Sequence, residues 1–516
     1  MPVLKNSFNY LKGLLVACLV AFGTPASAQS VRFIDASPEA VGLVQPAAVG
    51  LPNSLWQGTT PQRLAATLAA LPDRVSSPAQ YRALTTLLRV AVSPPPGEPA
   101  KPSLASLRVS ALARLGNEQD ALELANKVSP AIQNAPLWLA RLTIGLARYD
   151  VAGTCQLALN PSEAAAVAEW QRSRAFCLLL HGQEEPAMVA AMLADELTNE
   201  SAAPALVFES LFLAKQYVTR AAKAAVSPKD ILDLTMLRAL NIKMAPPEMA
   251  GISPPLAAAI ARFPAPGLEI RTAAAERAVA ANALPADLLV QLYLATELTT
   301  SLGTIYKQMA YAPDLQQRLK AITAFWDAAE KAGLYVQLAR SSLSYLAGID
   351  QAGVPDEFVA RAMRTAMVSG DKAGVGAWRD ALLARSLLPK GAEARDRAYA
   401  ILALAGEPVP PADTWWQAWV KAAKPTKAQA ALVAGLLEAM GIPVPKVKGP
   451  AADKSPAATA MAEAPFGEAA LLAIAALNQT AAPSDGLRVK AVETIARLNR
   501  DLARAIAVEI AIAAGI

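Results

Sequence analysis

Gly116, Tyr149 and Gly182 stand 33 residues apart, each at a turn between two runs of helical apolar spacing. The register extends well beyond the turns. Ala121, Thr154 and Ala187 follow five places later, and Ala125, Ala158 and Ala191 follow nine places later. Arg108, Arg141 and Arg174 precede the turns by eight places, and Leu104, Leu137 and Trp170 by twelve. In the first unit Leu104, Leu107, Ala111, Leu112 and Leu115 share one helical face, as do Ala121, Leu122, Ala125 and Val128 in the second run. A hairpin of this size cannot cover its own apolar face, so successive units must stack. Small residues in the second helix let neighbouring axes approach closely.

A helix–turn–helix unit of this period, with a turn glycine and an alanine five places on, resembles the tetratricopeptide repeat. Gly116, Ala121 and Val128, then Gly182, Ala187 and Ala194, occupy that family's turn glycine and small packing positions. Val109, Leu142 and Ala175 replace its first-helix glycine, Tyr149 replaces the middle turn glycine, and Pro161 takes the last packing position of the middle unit. The likeness is confined to residues 104–194. It implies a stack whose first helices line a concave groove, where basic side chains hold the acidic groups of a peptide. Arg108, Arg141 and Arg174 would then form a ladder of carboxylate-binding forks. The plainer alternative is that each arginine flanks the apolar stripe with its stem packed and its head hydrated or ion-paired.

Downstream the strict period fades but helical stripes persist, as in Leu315, Leu319, Ile322, Phe325, Trp326 and Ala329. Helices are expected near 204–216, 229–241, 286–297, 314–331, 333–347, 356–368, 372–384, 392–405, 413–423, 427–440, 465–477 and 486–512. Aromatic residues make up only 5% of the chain, and alternating β-branched runs are nearly absent, which argues against a sheet. The 39 prolines fit helices because many sit in short joints such as Pro246-Pro247, Pro254-Pro255 and Pro410-Pro411. The expected architecture is all-α, an α-solenoid or superhelix of stacked hairpins. Its parts are a leader (1–28), an extended and helical segment (29–103), the repeat array (104–442), a Pro/Ala-rich linker (443–464) and a helical hairpin or cap (465–516).

The leader reads as an export signal. Lys5 and Lys12 precede an apolar run from Leu14 to Phe22, and Ala26-Ser27-Ala28 fits cleavage before Gln29. The expected location is the periplasm. Leu15-Val16-Ala17-Cys18 also resembles a lipobox, which would anchor the chain through a lipid on Cys18, but Lys12 lies too near for an ordinary apolar region. After residue 28 no run approaches the ~20 apolar residues of a membrane span. Cys155 and Cys177 remain, an even pair in an exported chain. A disulfide between neighbouring helices is one reading and two buried thiols the other.

Charge excludes more than it suggests. The leader carries away two lysines, so the formal net charge of +5 falls to +3. No run of Lys and Arg interleaved with aromatics follows a phosphate backbone, and nucleic-acid binding is not expected. A single histidine, His181, leaves no paired imidazoles for a metal and no imidazole base beyond itself; it is expected to cap a helix end. Glu184-Glu185 and Asp195-Glu196 diverge by roughly 100° on a helix and read as surface charge. Neither a nucleotide-binding glycine loop nor a nucleophile elbow is present. The alanine-rich array is similar to the ring domain of soluble lytic transglycosylases, yet no catalytic module with a Glu-Ser pair follows it.

Trp415, Trp416 and Trp419 fall within roughly a 100° arc of one helix, which makes them a buried stripe or an interface seam. The functional expectation is a non-enzymatic, cofactor-free scaffold that binds a protein or peptide of the bacterial cell envelope. The alternatives are a peptidoglycan-binding accessory domain, and an enzyme whose carboxylates are assembled by the fold.

Overall fold

Helix is the regular structure throughout. The computed structural model describes residues 37–132, 134–160, 163–198, 227–239, 241–295, 301–385, 389–444, 447–478 and 482–516. The expected export leader with Cys18, and the helix expected near 204–216, lie outside the described residues. Within them every regular element is an α- or 3-10 helix, apart from one isolated parallel bridge between Val44 and Val90.

The first two helices show how a proline-rich chain stays helical. α1 (Pro61–Ala69) and α2 (Pro78–Arg89) each begin with proline directly after a hydroxyl N-cap. Thr60 accepts the Arg63 N–H and Ser77 the Gln80 N–H. Proline loses nothing there, because the first-turn N–H groups have no partner within the helix.

Residues 104–198 form three successive hairpins: α3 (Leu104–Arg114) with α4 (Glu118–Lys127), α5 (Ala135–Ala147) with α6 (Val151–Ala158), and α7 (Ala168–Leu180) with α8 (Glu184–Thr198). The three turns are built alike. Gly116, Tyr149 and Gly182 all take left-handed backbone, with φ of 77°, 59° and 74°. The next N–H returns to the helix each time, from Asn117 to Leu112, Asp150 to Gly145 and Gln183 to Leu178. Glycine enters this conformation freely, whereas tyrosine pays roughly 1–2 kcal/mol for it. At Gly116 space matters as well, since a Cβ would stand 2.5 Å from the Cβ of Ala283. Ala121, Thr154, Ala187, Ala125 and Ala158 are buried where the pairs meet. α3 packs on α5, and α5 on α7.

The chain continues through α9 (Ile231–Ala239), α10 (Pro254–Arg262), α11 (Leu268–Ala280), α12 (Ala286–Leu294), α13 (Ser301–Ala310), α14 (Leu315–Lys331), α15 (Tyr335–Leu346) and α16 (Asp356–Ser369). There follow α17 (Lys372–Ala384), α18 (Pro389–Ala405), α19 (Ala412–Ala423) and α20 (Lys427–Ala439). Most helices pack on their neighbours in sequence. One long apolar core runs through these elements, and a smaller cluster joins Leu142, Leu146, Trp170 and Phe176 to Leu232 and Met236.

The segment 443–464 carries a short helix, α21 (Pro456–Glu463), with Ala458 and Met461 buried. Beyond it come α22 (Phe466–Leu477), α23 (Asp485–Leu498) and α24 (Arg500–Ala513). One helix was expected over 486–512; two are found, divided at Asn499 with φ −153°. The apolar stripe runs across this break, but Asn499 is held from outside. Its Oδ1 accepts from Asp501 and Leu502, while its Nδ2 donates to the Val49 carbonyl at 3.0 Å.

These last helices return to the first. α22 packs on α1 and α2, and α24 packs on α2, α16, α18 and α20. Buried polar contacts secure the return. Glu468, 3% exposed, accepts from Thr59 Oγ1 at 2.5 Å and Arg63 Nη2 at 3.0 Å. Glu509, 7% exposed, accepts from Ser77 Oγ and from the Ala79 N–H at 2.9 Å. Asn478 Nδ2 donates to Gln80 Oε1 at 2.7 Å. Ser37–Ile516 thus forms one compact unit.

Candidate functional site

The arginines in 33-residue register do not make a ladder. Arg108 is 4% exposed and gives its whole fork to backbone: Nε to Leu88 O at 2.7 Å, Nη1 to Val41 O at 2.8 Å and Nη2 to Val90 O at 2.7 Å. Burial pushes its guanidinium down to about 10, partly countered by Glu39. Arg108 ties the segment before α1 to the end of α2, and its burial withdraws it from any ligand. Arg141 is half-buried, bonded to Ala125 O at 2.9 Å and placed 5.7 Å from the Trp138 ring centroid. Only Arg174 is exposed. Equal spacing in sequence has produced three different environments, because each unit meets different neighbours.

The tryptophan seam faces inward. Trp415, Trp416 and Trp419 are 2%, 1% and 0% exposed, and stack in sequence with Tyr399 at their head. All three are buried, with Trp415 packed against Tyr399 of α18. Cys155 and Cys177 sit at disulfide-bonding distance, with sulfurs 2.04 Å apart, and link α6 to α7. His181 caps α7, its Nδ1 lying 2.7 Å from the Cys177 carbonyl. Glu184, Glu185, Asp195 and Glu196 are exposed on α8.

Three cavities adjoin inside the array, of about 1180, 870 and 620 Å³. The smallest joins the other two. It shares Glu330, Ile512 and Gly515 with the largest, and Pro78, Val336 and Gln337 with the middle one. The three cavities thus meet at shared wall residues that come from helices at both ends of the chain. In the largest cavity the arginines are already engaged: Arg361 with Asp327 at 2.5 Å and Glu330 at 3.2 Å, Arg397 with Ala422 O at 3.0 Å, Arg364 with Ile516 O at 3.3 Å. Phe358, Met363, Ile401 and Trp419 supply apolar wall.

The middle cavity is different in charge. Arg82 of α2, Arg148 at the end of α5, Arg238 of α9, Arg262 of α10 and Arg340 of α15 line it, with Glu118 as the only carboxylate among the described lining residues. Arg262 takes both oxygens of Glu118, at 2.7 and 2.9 Å. Arg82, Arg148, Arg238 and Arg340 make no ion pair with any described residue. Arg148 has only a long contact of 3.5 Å to Gln119 Oε1. Four like charges around one cavity raise the local potential for an anion.

Arg238 is the most constrained of them. Its guanidinium lies over two rings, 3.6 Å from the Tyr149 centroid and 4.6 Å from that of Phe263. The left-handed turn after α5 presents Tyr149, and the end of α10 presents Phe263. Its Nε is buried without a partner, and burial holds the group below the usual arginine range, with Tyr149 opposing. Such stacking fixes a guanidinium plane while leaving its edge for a ligand. Spacing could not reveal this cluster, since its members come from five helices with no common period. One signal was present: a tyrosine where the neighbouring units keep glycine.

On α8, Met188, Val189, Met192, Leu193 and Leu197 are exposed together. The residues that follow, 199–226, lie outside the described residues. No set of three or more His, Cys, Asp or Glu side chains is placed to hold a metal, and no helix is long and apolar enough to cross a membrane, among the described residues. No protein-family model, curated protein or solved structure matches this chain.

Proposed function

We propose that this chain is an exported, non-enzymatic scaffold whose inner groove holds an extended segment of a cell-envelope protein. One observation carries the reading: three cavities share wall residues, the largest charge-compensated and the middle one rich in unpaired arginine. A groove of mixed apolar wall and fixed donors suits a peptide that contributes both side chains and backbone. Binding rather than turnover is the favoured role, because the described residues of the arginine cavity include no histidine, no cysteine and no facing carboxylate pair. The leader at 1–28 supports the envelope as the compartment, and the likeness of 104–194 to tetratricopeptide units supports peptide binding.

The test is photo-crosslinking in intact cells from Gln119 and Lys320, which line opposite ends of the groove, with exposed Asp380 as control. The reading expects both groove positions, and not Asp380, to capture the same protein. Capture of nothing, together with retention of the chain on purified sacculi, would favour peptidoglycan binding instead.

A further inference from the structure

We propose that Arg238, stacked over Tyr149 and close to Phe263, is the anchor for a carboxylate of the segment that enters the groove, so that the ligand is an acidic peptide. This rests on the groove reading above and names the chemistry of its arginine-lined end. Two independent features converge on Arg238. The first is the orphaned fork: it makes no hydrogen bond to any described residue, its Nε is buried, and the side chain lines the cavity. With Nε closed off, the two Nη groups are the donors left to a ligand, and neither has a partner among the described residues. The second is the backbone of Tyr149. Its two counterparts in the repeat are glycines with the same left-handed φ, so a tyrosine here accepts strain that the fold elsewhere avoids. What the tyrosine adds is the platform under Arg238, with its ring 3.6 Å from the guanidinium carbon.

The class of ligand follows from the donors. Arg82, Arg148 and Arg340 line the same cavity as the anchor, and no lysine does so among the described residues. Planar forks pair bidentately with planar carboxylates, and a stacked fork has already lost its rotational freedom. The smallest cavity shares wall residues with the arginine cavity on one side and with the partly apolar largest cavity on the other. An apolar neighbour suits a peptide that carries its acidic residues at one end, whereas a free phosphate would engage the arginine cavity alone.

The experiment is fluorescence anisotropy on the whole exported chain at about 50 mM salt, where exposed charges act over a useful range. The probe is a labelled hexaglutamate peptide, with hexaglutamine as the neutral control and inorganic phosphate as competitor. Hexaglutamate should bind and hexaglutamine should not. Arg238→Lys keeps the charge but loses the fork, and should weaken binding by about tenfold or more. Tyr149→Gly removes the platform and relieves the backbone, so it should weaken binding while leaving Tm unchanged or raised. Arg174→Ala should bind as the parent does. Three results would overturn the assignment: no binding of hexaglutamate, parental affinity in Arg238→Lys, or a Tyr149→Gly chain that loses stability but not affinity. Displacement by phosphate at equal concentration would also overturn it, by showing an unspecific anion sink. The crosslinks from Gln119 and Lys320 judge the groove separately, and they stand if only the carboxylate anchor fails.

Discussion

The carboxylate of Glu509 accepts the backbone N–H of Ala79 at 2.9 Å, capping the first turn of α2 from a helix 430 residues further along the chain. Ser77 already caps the Gln80 N–H, and its hydroxyl also donates to Glu509. Two residues therefore satisfy donors at one helix end, and one of them belongs to α24. The contact fixes where the end of the chain meets its beginning, and it borders the smallest of the three cavities. A negative group is favoured at a helix N-terminus. Burial opposes it more strongly and pushes the Glu509 carboxyl up to about 7 from an ordinary 4.5.

This gives a pH dependence of defined sign. Because the folded state holds the proton more tightly, the contribution of Glu509 is fully present below about 4.5 and is lost as pH rises through about 7. Glu509→Gln keeps an acceptor for Ala79 and cannot titrate. The stability of the parent relative to Glu509→Gln should fall by roughly 1–3 kcal/mol between pH 4.5 and pH 8. Denaturant titrations of both chains across that range check it, and a constant difference would remove Glu509 as the titrating group.

Arg108 and Arg174 should behave as opposites despite their shared register. Replacing Arg108 with alanine strands the carbonyls of Leu88, Val41 and Val90 around a buried void. A loss of the order of 3–5 kcal/mol is expected. Arg174→Ala is expected to stay within about 0.5 kcal/mol. Urea unfolding of the two variants decides, and equal effects would contradict the environments described.

The pair Cys155–Cys177 closes a loop of 22 residues within the smaller apolar cluster. Loop-closure entropy for such a length corresponds to roughly 3 kcal/mol. Replacing both with serine should raise amide exchange first in α6 and α7, with α22 and α24 little changed. Hydrogen exchange resolved by peptide reads this directly; uniform loosening of the whole chain would show that the cluster is not a separate unit.

Gly467 marks how closely α22 approaches the segment before α1. A Cβ there would stand 2.4 Å from the Leu55 carbonyl oxygen and 2.7 Å from the Trp56 ring. Gly467→Ala should cost about 1–3 kcal/mol through overpacking, whereas Gly376→Ala, with nothing within 4 Å, should be neutral or stabilising. Thermal melts of the two compare a close approach with an open position.

Helices with a clear apolar stripe could be read from residues alone, as at Lys372–Ala384, whose bounds match the expectation. The three turns at Gly116, Tyr149 and Gly182 were equally legible, since local backbone chemistry sets them. Long-range effects were not. Asn499 caps the next helix locally through Oδ1, and the long-range part is its Nδ2 bond to Val49, 450 residues earlier. Arg108 looked like a ligand-binding rung because its acceptors, carbonyls of the 41–90 region, carry no side-chain signature. The arginine cavity was hidden for the same reason: Arg82 and Arg340 become neighbours of one space only after the helices pack.

The groove itself is tested most directly by crosslinking yield from Gln119 in cells whose Arg148 and Arg340 are both reversed to glutamate. These two side chains are exposed and line the arginine cavity, so the fold should survive their reversal. The account predicts that capture of the envelope partner is lost while the chain keeps its melting temperature. Undiminished capture by the reversed chain would contradict it.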